Sequence, residues 1–69
     1  MFDRQYLFAF ESAAHARVFV HKLALRLRYV AIFVDGEHVQ VIDGSDDGQR
    51  EAILRLAQSS SATLAAFSD

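Results

Sequence analysis

Tyr29-Val30-Ala31-Ile32-Phe33-Val34-Asp35-Gly36-Glu37-His38-Val39-Gln40-Val41-Ile42-Asp43 reads as two β-strands joined by a tight turn. Asp-Gly readily takes the positive φ of a two-residue hairpin loop, and both flanks are rich in β-branched residues. With Asp35 and Gly36 as the loop, Val34 pairs with Glu37, Ile32 with Val39 and Val30 with Val41. Val30, Ile32, Val39 and Val41 then form an apolar core face. The opposite face pairs Phe33 with His38, Ala31 with Gln40 and Tyr29 with Ile42, a mixed and unusually aromatic set.

Upstream, Asp3 to Phe10 alternates with Tyr6, Phe8 and Phe10 on one side and Leu7 and Ala9 on the other. A strand apolar on both sides belongs in the middle of a sheet. Ser12 is placed to cap a helix running from Ala13 to about Leu27. Projected at about 100° per residue, Ala13, Ala16, Phe19, Val20, Leu23, Ala24 and Leu27 share the arc expected to face the core. Ala14, Val18 and Leu25 form a separate apolar ridge between two polar arcs. A helix lying on a sheet needs only one apolar stripe, so this ridge is expected to meet a partner.

Downstream, the acidic loop Asp43-Gly44-Ser45-Asp46-Asp47-Gly48 leads into a second helix, about Asp47 to Gln58. Asp46 and Gln49 suit a variant capping box, and carboxylates near a helix start favour its dipole. Ile53, Leu56 and Ala57 make its buried face, and Glu51 with Arg55 is an i,i+4 pair. Ser59-Ser60-Ser61 follows without a glycine, so this helix end is expected to fray. Thr63 to Phe67 reads as a last strand, weakened by Ala65 and Ala66.

The order β-α-β-β-α-β predicts one ferredoxin-like α+β domain spanning 1–69: a two-layer sandwich of a four-stranded antiparallel sheet with two helices on one face. The expected strand order is 2-3-1-4. Length and order also resemble the small ligand-sensing ACT modules and the RRM-type modules. The motifs of those families are not present: the expected third strand, Glu37 to Ile42, carries no aromatic residue, and Phe10-Glu11-Ser12-Ala13 carries no glycine.

Composition narrows the function classes. The 69 residues are 52% hydrophobic and 23% charged, with no cysteine to supply disulfides or thiolate ligands. A formal charge of −2 argues against nucleic acid and anionic membranes as partners. The start Met1-Phe2-Asp3-Arg4 has no signal-peptide pattern, no run is long enough to span a membrane, and a cytoplasmic location is expected. His15 and His21 lie about 240° apart around one helix and His38 is elsewhere, so no metal is expected. Asp43, Ser45 and Asp47 with Gly48 match the first half of a calcium loop, but Leu54 stands where the bidentate glutamate belongs. The serines have no neighbouring base, and no glycine-rich phosphate loop is present.

The open sheet face therefore carries the functional expectation. It should display Tyr29, Ala31, Phe33, His38, Gln40 and Ile42, together with either Tyr6, Phe8 and Phe10 or Leu7 and Ala9. So much bare apolar surface is unusual on a soluble monomer. The reading is a small non-catalytic regulatory or protein-interaction module, without a cofactor, that forms a homodimer through this face. The alternative is a module binding a small apolar or aromatic ligand at a subunit interface through Tyr29, Phe33 and His38. An enzyme with a site shared between subunits ranks third.

Overall fold

The computed structural model describes residues 4–45 and 49–68. The elements run β1 (Arg4–Ala9), α1 (Ala13–Arg26), β2 (Val30–Asp35), β3 (His38–Asp43), α2 (Arg50–Ser59) and β4 (Thr63–Ser68). The sheet has four strands in the order β2-β3-β1-β4, all neighbours antiparallel. This is the ferredoxin-like α+β sandwich. Its long crossovers carry α1 over β3 and α2 over β1, which puts both helices on one side.

The hairpin forms one residue later along the chain than the Asp35-Gly36 reading. Asp35 pairs with His38, so Gly36 and Glu37 are the loop, and Ile32 lies opposite Val41 rather than Val39. Only Gly36 takes a positive φ, +59°, as at the first position of a type II′ turn. That arrangement spares Asp35 a left-handed conformation. It also sets Val34 against Val39, two β-branched side chains where the other register offers Glu37. Because the pairing moves by two residues, each side chain keeps its face.

β1 settles the choice between its two faces. Tyr6, Phe8 and Phe10 are buried against the helices, and Phe19 of α1 packs on Phe8 and Phe10 with ring centroids 5.2 Å apart in each case. Leu7 and Ala9 are left to the open face. The reason is volume. The buried helix residues are Ala16, Phe19, Leu23, Ile53, Leu56 and Ala57, and the large rings of β1 fill the space between them and the sheet. Ala13 and Ala24, expected on the core face of α1, are exposed, because the contact stripe is narrower than the apolar arc.

Both helices are closed at their ends. The Ser12 hydroxyl caps α1 by accepting the His15 N–H at 3.2 Å. α2 does not fray. The Ala62 N–H reaches the Ala57 carbonyl at 2.9 Å and the Ser61 N–H the Gln58 carbonyl at 3.1 Å. Ser61, at φ +59°, occupies the left-handed position that glycine usually fills in this Schellman motif. Ala62 packs on the core beside it. The expected cap Asp46 lies outside the described residues; at the start of α2, Asp43 takes the Gln49 N–H instead.

Candidate interaction surface

Alternation along each strand builds the open face. β1 presents Leu7 and Ala9, β2 presents Ala31 and Phe33, β3 presents His38, Gln40 and Ile42, and β4 adds Ala66 opposite Leu7. Phe33 is 57% exposed, the most prominent apolar side chain of this face. Leu7 and Gln40, paired across β1 and β3, form a low ridge, and Gln40 Nε2 donates to Gln5 Oε1 at 3.2 Å beside it. On either side lies a shallow hollow of about 290 Å3. One is lined by Leu7, Phe33, Val34, Asp35, His38 and Gln40, the other by Leu7, Gln40, Ala66 and their neighbours on β1 and β4. Ala66 lines the second hollow, and Ala9 and Ala31 add little bulk elsewhere on the face.

Phe33, His38 and Gln40 thus meet in one hollow. Ile42 shares the face, half-buried opposite Ala31, but does not line that hollow. Tyr29 is not a strand residue paired with Ile42. It sits at φ +62° ahead of β2, its carbonyl accepts the Gly44 N–H at 2.8 Å, and its side chain is 78% exposed outside the hollow. A left-handed tyrosine breaks the alternation that the extended reading assumed. The helix ridge is exposed as the projection implied: Val18 is 51% and Leu25 72% accessible, with Ala14 also exposed.

The acidic loop is organised by Asp43, which is fully buried. Its Oδ1 accepts the Ser45 N–H at 3.0 Å, the Ser45 hydroxyl at 2.7 Å and Gln49 Nε2 at 3.3 Å, while Oδ2 accepts the Gln49 N–H at 2.6 Å. Gln49 Nε2 also reaches the Arg28 carbonyl at 2.7 Å. Burial alone would raise the Asp43 pKa. The bonds from Ser45 and Gln49 outweigh it, and the carboxyl is held below its ordinary value. Asp43 therefore ties the end of β3 to the start of α2, and Gln49 extends the network to the chain entering β2. The other residues of the calcium-like pattern, Asp47 and Gly48, lie outside the described residues.

Among the described residues, no three His, Asp or Glu side chains converge as a metal-ligand group, and no helix is long and apolar enough to cross a membrane. One feature escaped the sequence reading: Val34, on the helix side of β2, is 49% exposed near the end of this outermost strand. The signal available was the strand order, which puts Val30 to Val34 at a sheet edge. Comparison of the chain with protein-family models, curated proteins and solved structures finds no match, so its function has to be argued from these surfaces.

Proposed function

We propose that the protein is a small non-catalytic interaction module that associates with itself through the open face of its sheet. The observation that carries this reading is Phe33, more than half exposed on a face whose other apolar members are Leu7, Ile42 and alanines, with His38 and Gln40 among them. Apolar surface gains roughly 25 cal/mol per Å2 when it leaves water, so the exposed apolar side chains of this mixed face favour contact with a like face. Two such sheets pack about 10 Å apart with their side chains interleaved. The hollows beside the Leu7–Gln40 ridge give a second copy's side chains somewhere to sit.

Leu7→Glu tests this at the centre of the face, away from both sheet edges. Light scattering should show the assembled species shifting toward monomer while circular dichroism stays folded. An unchanged assembly at the same concentration would remove the face as the interface. The hollow containing Phe33, His38 and Gln40 favours a second reading, an apolar ligand oriented by two polar groups. That reading, with the ligand held where subunits meet, expects the protein to enhance the fluorescence of an anilinonaphthalene sulfonate probe and to lose the enhancement in Phe33→Ala.

A further inference from the structure

We propose that the free edge of β2 pairs with the same edge of a second copy of this chain, antiparallel, about a two-fold axis through Ile32. The proposal goes beyond the open-face reading and stands independently of it.

Hydrogen-bond parity identifies the free backbone groups. Antiparallel residues alternate between bonded pairs and non-bonded pairs. The pair closing the hairpin, Asp35 and His38, is a bonded one, and at the other end the Gly44 N–H reaches the Tyr29 carbonyl. Residues 31 and 33 therefore turn their backbone groups toward β3. Val30, Ile32 and Val34 turn theirs outward. The ladder from Val30 to Asp35 runs without a bulge, and its six residues, Val-Ala-Ile-Phe-Val-Asp, include no lysine or proline and only one charge, Asp35 at the very end. Bulges, prolines and charges are the devices that usually guard an edge.

Self-complementarity and charge choose the occupant. Pairing centred on Ile32 sets Val30 opposite Val34 of the second copy, so all three outward-facing residues find bonded partners. On the helix side, β-branched side chains meet, covering the exposed Val34. On the open side, Phe33 lies opposite Ala31 of the second copy, a large side chain over a small one. Asp35 ends β2 and Arg28 lies just ahead of its start, both exposed. Antiparallel pairing sets each Asp35 opposite Tyr29 of the other copy, at the end of the strand where Arg28 is next along the chain, twice by symmetry, whereas a parallel arrangement would bring like-charged strand ends together. A two-fold contact closes at two copies. The four-stranded sheet becomes one of eight strands, with all helices on one side and a continuous open face.

Amide hydrogen exchange followed by NMR across a concentration series tests this. At high concentration the Ile32 and Val34 amides should slow by at least about tenfold relative to dilute protein. A dimer built only through the open face leaves these edge amides exchanging fast, and unchanged rates at both positions would overturn the proposal. Sedimentation of charge variants gives a second readout that leaves the apolar packing intact. Asp35→Arg should weaken association at least about tenfold at low salt, and adding Arg28→Asp should restore it. Equal association by wild type, single and double variants would also overturn it.

Discussion

The two edges of the sheet are made of similar material and are finished differently. β2 is Val-Ala-Ile-Phe-Val-Asp and β4 is Thr-Leu-Ala-Ala-Phe-Ser, each six residues long and each mostly exposed. β2 keeps a regular ladder on β3. β4 shifts register against β1 between Leu7 and Phe8, where Ala65 is passed over. A bulge of this kind bends a strand and interrupts its outer row of hydrogen-bonding groups. A cation from α2 also covers part of β4: the Arg50 guanidinium lies 4.7 Å from the centre of the Phe67 ring, which also meets the Tyr6 ring at 5.0 Å. The comparison teaches that two edges of similar hydrophobicity differ first in the regularity of their ladders: β2 runs unbroken to its one charge, Asp35, and β4 is interrupted midway.

Each edge is also approached through a non-glycine residue at positive φ. Ser61, at φ +59°, stands two residues before β4, and Tyr29, at φ +62°, one residue before β2. The first is explained by the cap on α2. The second follows no helix cap of that type, since α1 ends on the extended Leu27; it turns the chain so that the Tyr29 carbonyl can meet Gly44. L-residues held in this region cost about 1–2 kcal/mol each.

The comparison can be broken hardest at Phe8, which faces Val39 on one side and Leu64 at the β4 bulge on the other. Phe8→Ala should cost about 3–5 kcal/mol in denaturant unfolding, with the β4 amides losing exchange protection before those of β2. Asp43 is the counterpart on the β2 side, since it pairs with Val30. Removing its charge by Asp43→Asn should cost about 1.5–3 kcal/mol at neutral pH.

The pH dependence of Asp43 has a definite sign. Its folded-state pKa lies below the ordinary value of 3.8, so the stabilisation is fully present above that value. It is lost as the pH falls through the lower folded-state value. A thermal melt of wild type should therefore decline in that acid range more steeply than one of Asp43→Asn; parallel curves would show the carboxylate to be unimportant.

Smaller effects sharpen the contrast. Ser61→Gly and Tyr29→Gly should each raise stability by about 0.5–1 kcal/mol by relieving the left-handed strain, net of the extra backbone freedom. Equal gains in thermal melts would make the two turns equivalent; a loss at Tyr29 would reveal a contact made by its side chain. Last, Arg50→Ala should cost about 0.5 kcal/mol, the size of an exposed cation–aromatic contact. It should leave α2 intact by circular dichroism while loosening β4 alone in hydrogen exchange.

Legibility varied with how local the cause was. From Val30 to Val34 and from His38 to Asp43 the face of each hairpin side chain was readable, because alternation survives the two-residue change in pairing. The turn position was not, since Asp-Gly serves two adjacent loops and the choice falls to the apolar pairs further along the strands. The serine run after α2 looked like a frayed end. Ser61 closes it because Ala62 finds a place on the core, a benefit that no local pattern displays. Of the residues expected to act together, Phe33, His38 and Gln40 do meet, while Tyr29 is set apart by its own backbone.

Periodicity and punctuation, with the handedness of crossovers, were therefore sufficient for the element order, the β2-β3-β1-β4 arrangement, the buried face of α2 and the centre of that of α1. These follow from where apolar side chains recur, which is a property of the chain before it folds. Three-dimensional packing had to choose which side of β1 goes inward, because both are apolar and only the space beneath Phe19 favours the rings. It also had to choose which edge stays regular. That depends on how far each helix reaches over the sheet and on where a register slips, quantities that exist only once the layers have met.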